Sequence, residues 1–283
     1  FADQIMPNAF DPEMADFARR KLKDAGIRVI TGQRIQSVTG VDKATGIVTD
    51  GGAIAADVVV LAIGVRPATD FLKDTGIELF KGTVVVDKEM RTNLPDIYAA
   101  GDCAMVYNRL TGKPQWSAMG STANITARAL GKTITGTHTP YSGCLGTGVV
   151  KLLPQLNAGR TGLTEAQAKA EGFDPITVVC ACDDKAHYYP GASSFLTKLI
   201  ADRNTRKLLG IQVLGSGAVD KMVDIAVVGL SAGLTIDAFN DLDLAYAPPF
   251  STAIHPFVQA CYVLENKLAG VLESFTPAEY LAG

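Results

Sequence analysis

Long hydrophobic runs are missing from this chain. Stretches such as "VVVLAIGV" (58–65) fall far short of the roughly 20 apolar residues that a membrane-spanning helix needs. A surplus of positive charge is missing too. Lys and Arg number 26 against 29 Asp and Glu, giving a formal charge of −3 with no basic cluster, so nucleic acid is a poor candidate partner. The five cysteines show neither a CxxC pair nor the spacing of a disulfide framework, and no pair of histidines accompanies them, which argues against a stapled secreted domain and against zinc. His138, His187 and His255 are scattered, and no Ser-His-acid set can be assembled around them. There is no basic segment leading into an apolar one at the start, no repeat and no low-complexity tract. A reducing, cytoplasmic setting is expected. The opening "FADQIMP" lacks an initiator methionine, so the chain reads as a piece of something longer.

What is present is a chain of 283 residues, 47% hydrophobic and 19% charged, enough for two or three compact units. "FDPEMADFARRKLKDAGI" predicts an amphipathic helix, with Asp11 as cap, Pro12 in the first turn and Gly26 as the stop. "RVITG" and "RIQSVTG" alternate like strands, and "TDGGA" is a hairpin turn signal. "DVVVLAIG" is apolar throughout, as a strand covered on both faces would be. Short strands at "GTVVVD" and "DIYAAG" and the small-residue helix "STANITARALG" follow. Beyond residue 141 come the strands "GVVKLL" and "ITVVCAC" and the hairpin "FLTKLIADRNTRKLLGIQVLG". The helix "TEAQAKAEG" lies among them, with Thr164 and Gln167 at capping-box spacing. "AVDKMVDIAVVGLSAG" and "PFVQACYVLENKLAG" add helices. The pattern predicts α/β layers followed by an α+β domain.

Four stretches can carry chemistry. Gly64 and Val65 end an apolar run in "VLAIGVRPAT", where glycine lets a nucleotide approach the backbone; strand ends also carry glycine without any ligand. In "IYAAGDCA", Gly101 offers the same access and Asp102 an acceptor for a hydroxyl-bearing ligand, although a turn aspartate bonding its own backbone has the same signature. Cys103 has no local activator and reads as a packed thiol, and Cys180 and Cys182 share one face of a strand without further ligands. "HYYPGA" and "YAPPFSTAIHP" set Tyr188, Tyr189, Tyr246 and Phe250 on loops stiffened by proline. Such aromatics either cap a core or interface, or present a phenol to a developing thiolate or oxyanion.

Together "AIGVRPAT", "TNLPDIYAAGDCA", "STANITARALG" and "YAPPFS" resemble, in order along the chain, the C-terminal part of the FAD-dependent pyridine nucleotide-disulphide oxidoreductases. Within that family "HYYPGA" and "YAPPFS" look most like the coenzyme A disulfide reductase branch. The resemblance implies incomplete FAD- and NAD(P)-binding Rossmann-like layers followed by an α+β dimerisation domain. Residues 1–70 would be the latter half of an NAD(P)H-binding domain, 71–140 a returning segment of the FAD domain, 141–270 the dimerisation domain and 271–283 a tail or linker. It implies a flavin site at Gly101, Asp102, Met119, Ala123 and Asn124, with Gly64 and Val65 along the nicotinamide nucleotide. Tyr189, Tyr246 and Phe250 would reach a partner's active site in a homodimer. The implied cofactors are FAD and NAD(P)H, and the implied substrate is a disulfide such as coenzyme A disulfide. NADH oxidase or peroxidase activity, or a dimerising module without turnover, are the alternatives. Neither GxGxxG fingerprint nor the family's N-terminal exchange cysteine occurs here, so this chain alone is expected to be inactive. His255-Pro256 mimics a catalytic "HP" but lacks a following acid, and His255 is expected to be non-catalytic.

Overall fold

The computed structural model describes residues 2–275, 279 and 280. The tail expected at 271–283 therefore lies partly outside the described residues. Contacts divide the chain into two units. One comprises residues 1–63, 148–229 and 233–283, and the other residues 64–147 and 230–232.

The first unit is built on a five-stranded antiparallel sheet in the order β10-β11-β12-β9-β8. Its strands are β8 (Gly148–Leu153), β9 (Leu156–Gly162), β10 (Pro175–Asp183), β11 (Ser194–Asp202) and β12 (Leu208–Gly215). One face receives α1 (Pro12–Asp24) and the short α3 (Glu165–Ala170). There Phe10, Met14, Ala15 and Ala18 pack on Leu156, Ala158 and Leu214. The other face receives α4 (Val219–Ala232) and α5 (Pro256–Leu268), whose inward residues include Phe257, Ala260, Cys261 and Leu264. Alternation along β10 places Ile176, Val178 and Cys180 on one side, all buried. A separate antiparallel sheet of β1 (Ile35–Thr39), β2 (Gly46–Thr49) and β3 (Gly52–Ala55) has its β2–β3 turn at Asp50–Gly51, where the sequence places it.

α3 shows the capping box expected from its spacing. The Gln167 N–H donates to Thr164 Oγ1 at 3.1 Å, and the Thr164 N–H donates to Gln167 Oε1 at 3.0 Å. α1 departs from expectation. Asp11 stands at its N-cap but its carboxylate bonds no N–H of that helix. Instead Asp11 Oδ2 accepts from the Glu165 N–H at 3.0 Å and from Gln212 Nε2 at 2.6 Å. An acid read as the cap of α1 thus caps the start of α3.

Gly229 sits inside α4, where glycine costs a helix about 1 kcal/mol against alanine. Its reason is Phe239, a fully buried ring that packs edge-on against Phe257 at 5.0 Å. A Cβ on Gly229 would lie 2.2 Å from Phe239 Cζ. Overpacking of this kind costs about 1–3 kcal/mol, outweighing the helix gain. Gly229→Ala is therefore expected to lower the melting temperature, and an unchanged or raised value would contradict the contact.

The second unit holds two small antiparallel pairs, β4 (Leu79–Phe80) with β5 (Thr83–Val84) and β6 (Val106–Tyr107) with β7 (Pro114–Gln115). It also holds the helix α2 (Gly120–Ile134), which packs Ala129 among Val84, Val86, Met90 and Ala104. α2 runs three residues past Gly131, the residue with which "STANITARALG" ends.

Three strand expectations fail, "DIYAAG" among them, where Tyr98 makes only an isolated bridge to Arg91. The "RVITG" segment is irregular. "DVVVLAIG" forms no strand, and Val58, Val60, Leu61 and Ile63 are 64–85% exposed. An apolar run becomes a buried strand only when neighbouring strands take up its backbone groups, and among the described residues none pairs with it.

Candidate functional site

Within the second unit the loop 99–103 lies beside the start of α2. Gly101 holds φ at +82°, a left-handed value that favours glycine. Its N–H donates to Thr126 Oγ1 at 3.3 Å, and Ala123 Cβ lies 3.8 Å from where a Gly101 Cβ would stand. The loop is fixed from its other side by Trp116, whose Nε1–H donates to the Asp102 carbonyl at 2.7 Å. The Asp102 side chain is exposed and has no hydrogen-bond partner among the described residues. Met119 occupies the N-cap position of α2, and Asn124 Nδ2 donates to the Gly120 carbonyl at 2.8 Å. Five residues expected to share a site, Gly101, Asp102, Met119, Ala123 and Asn124, are thus carried by one loop and one helix start. Trp116 was not foreseen, because its bond depends on β6 and β7 folding back. Gly64 (φ +93°) and Val65, 70% exposed, lie in irregular backbone of the same unit.

The chemistry of these residues suits a hydroxyl-bearing ligand such as a flavin. The free carboxylate of Asp102 can accept hydroxyls, and the absence of a side chain at Gly101 lets a ligand reach the backbone. The bond between Asp102's carbonyl and Trp116 orders the loop in advance.

In the first unit, Tyr189 follows β10, and Tyr246 and Phe250 share the Pro-Pro loop before α5. All three are exposed, Phe250 most of all, and neither phenol has a hydrogen-bond partner among the described residues. His255 ends that loop. It is 6% exposed and caps α5, its Nδ1 accepting from the Phe257 N–H at 3.2 Å. Burial, aided by the positive charge of Lys221, pushes its pKa down to about 4. His255 is therefore neutral near pH 7 and carries its proton on Nε2.

Burial disfavours the thiolate form at three of the cysteines. Burial pushes Cys180 up to about 12 and raises Cys182 and Cys261 as well. Cys103 Sγ–H reaches the Ala100 carbonyl at 3.6 Å. Among the described residues no cluster of His, Cys, Asp or Glu is suited to a metal, and no helix is long and apolar enough to cross a membrane.

An unforeseen cluster lies in the first unit. Lys198 of β11 is 1% exposed, and its Nζ stands 2.5 Å from Glu13, 2.8 Å from Glu165 and 3.2 Å from Asp11. Burial alone would lower its pKa, but the charges of Asp11 and Glu13 and the hydrogen bonds to Glu13 and Glu165 hold it above the ordinary lysine value.

Comparison with known proteins gives these arrangements their context. Residues 1–129 match the family described as pyridine nucleotide-disulphide oxidoreductase, and residues 152–257 match its dimerisation domain. The NAD(P)H coenzyme A polysulfide/persulfide reductase of Pyrococcus horikoshii is 34% identical over 269 residues, covering 93% of this chain and 59% of that protein. An NADH oxidase of Methanocaldococcus jannaschii is 29% identical over 268 residues, covering 95% and 59%. The structure of an NAD-dependent persulfide reductase from A. fulgidus superposes with a TM-score of 0.93 at 35% identity, covering 99% of this chain and 52% of that one. The chain thus spans somewhat over half the length of these relatives. Its folded elements, its two matched segments and these likenesses agree: the chain belongs to the pyridine nucleotide-disulphide oxidoreductase family, with a Rossmann-like part followed by a dimerisation domain.

Proposed function

We propose that the chain is the C-terminal portion of a cytoplasmic, homodimeric flavoprotein that passes electrons from NAD(P)H to a disulfide of the coenzyme A type. The observation that carries this reading is the exposed, unpartnered Asp102 carboxylate, presented beside left-handed Gly101 at the start of α2. Residues 1–70, 71–140 and 141–270 are read as the nicotinamide, flavin and dimerisation portions. The flavin, when bound, would supply hydride acceptance from the nicotinamide and electron delivery to a thiol-disulfide centre. Asp102 would hold its ribityl hydroxyls, with Met119, Ala123 and Asn124 alongside, while Gly64 and Val65 would lie along the nicotinamide nucleotide. Tyr189 and Tyr246 would donate hydrogen bonds to a thiolate in the partner's site, and Phe250 would pack against the substrate; two-fold symmetry makes the exchange reciprocal.

The likeness to a coenzyme A polysulfide/persulfide reductase supports the thiol reading. The likeness to an NADH oxidase supports a second reading, in which oxygen species are reduced instead. The full-length gene product assayed with NAD(P)H and coenzyme A disulfide separates them: disulfide-dependent oxidation is expected, and brisk oxygen consumption without it would overturn the reductase reading. In the same protein Tyr246→Phe is expected to slow disulfide reduction about 10- to 100-fold, the range for losing a hydrogen bond to a charged group, while flavin reduction is little changed. Stopped-flow measurement of the two half-reactions checks this, and equal losses in both would remove Tyr246 from the thiol.

A further inference from the structure

A cavity of about 160 Å³ in the first unit shares only Phe250 with the redox reading. Its lining combines the apolar residues Phe195, Met222, Pro249 and Phe250 with the cations Lys185 and Lys221. Three separate elements bring the polar groups together: Lys185 just beyond β10, Lys221 in the first turn of α4, and His255 at the cap of α5.

The charges do not cancel. Asp184 is the acid in the lining, and its Oδ1 is already taken by the Ser193 N–H at 2.7 Å. Its Oδ2 stands 4.0 Å from Lys185, too far for a hydrogen bond. Lys221 has no ion pair among the described residues, and its neighbour Asp220 lines a different cavity, beside Val149 and Asn157. Two ammonium groups against one carboxylate leave a net +1 in a partly enclosed, low-dielectric space. His255 adds a donor. With Nδ1 committed to the Phe257 N–H, its ring proton sits on Nε2, which has no protein partner among the described residues.

We propose that this cavity binds a small oxyanion, a phosphoryl or carboxylate group carried on a short apolar stem. Lys185 and Lys221 neutralise the charge, the His255 Nε2–H supplies a directional donor, and Phe195, Met222 and Phe250 cover the stem. The inference stands on the cavity alone and does not depend on the flavin reading.

The test titrates the chain with butyl phosphate and, separately, with butyrate at constant ionic strength, following binding by calorimetry and by ³¹P or ¹H NMR. Saturable binding is expected for at least one of them, and the stronger of the two identifies the anion. Lys185→Met and Lys221→Met, on different elements, are each expected to weaken it about tenfold or more, as loss of a charge-assisted contact does. Melting curves of the two variants verify that each is folded, and either one suffices. His255→Asn is expected to weaken binding less, about threefold, because the shorter side chain does not place its amide donor where the ring Nε2–H stands. No saturable binding of either anion, or binding unchanged in a folded lysine variant, would overturn the proposal.

Discussion

Lys198→Met is expected to lower the unfolding free energy by about 3–5 kcal/mol, the usual penalty for removing one partner from a buried charge cluster. The substitution keeps the length of the side chain, so little packing is lost. What is lost is the one cation that Asp11, Glu13 and Glu165 share. Asp11 and Glu13 keep their place because α1 is held by Met14, Ala15 and Ala18, so the carboxylates cannot simply turn to water. For a chain of this size the loss corresponds to a fall of roughly 10 °C in melting temperature. The pH dependence gives a second reading. Glu165 is partly buried, which alone would raise its pKa, yet Lys169 and Lys198 hold it below the ordinary value. A depressed carboxylate contributes stability that is present above its unfolded pKa and lost as pH falls through the folded one. Part of that depression vanishes with Lys198, so the gap between wild type and Lys198→Met is expected to be wide near pH 7 and to narrow in acid. Urea unfolding at several pH values measures it. A loss below about 1 kcal/mol near pH 7 would show that water already screens the cluster.

The same cluster shows what the sequence can and cannot disclose. Local signals proved legible: the Thr164–Gln167 capping box, the turn at Asp50–Gly51, and the helices that become α4 and α5 all follow from residues within a few positions of one another. Lys198 was not legible. It sits in "FLTKLI", where an isolated lysine reads as the solvent side of a strand, and its partners are up to 187 positions away. Asp11 carried the right signature for a cap and the wrong helix, because Glu165 lies 154 residues on. Failure of "DVVVLAIG" to form a strand has the same origin, since a strand exists only through its neighbours. The candidate flavin site was more readable because its elements are short and close in sequence. Gly101 and Asp102 end an apolar run, and Met119, Ala123 and Asn124 open the next helix. Trp116 escaped notice because no local pattern marks an indole that will bond a carbonyl 14 residues back.

Acid is expected to unfold this chain earlier than an otherwise matched His255→Asn variant. His255 is buried as the neutral ring, and its pKa falls from 6.5 to about 4, chiefly through desolvation and secondarily through Lys221. The unfolded state therefore binds a proton near pH 6.5 that the folded state refuses until about pH 4. Stability rises with pH wherever the unfolded state holds more protons, so this contribution is fully present above pH 6.5 and drains away between 6.5 and 4. At 1.36 kcal/mol per unit, a shift of this size amounts to about 3 kcal/mol across that window. Protonation has a structural cost as well, because the Nδ1 that accepts from the Phe257 N–H would become a donor and α5 would lose its cap. Asparagine is the informative replacement: its side-chain oxygen can still accept from the first turn, and it does not titrate. Carboxylates elsewhere titrate alike in both proteins and cancel in the difference. Denaturant unfolding of the two at pH 7.5, 6, 5 and 4 should show wild type losing up to about 3 kcal/mol more than the variant over this span. Parallel curves would mean that His255 takes up its proton in the folded chain as readily as in the unfolded one, and that the ring is far more hydrated than its 6% exposure implies.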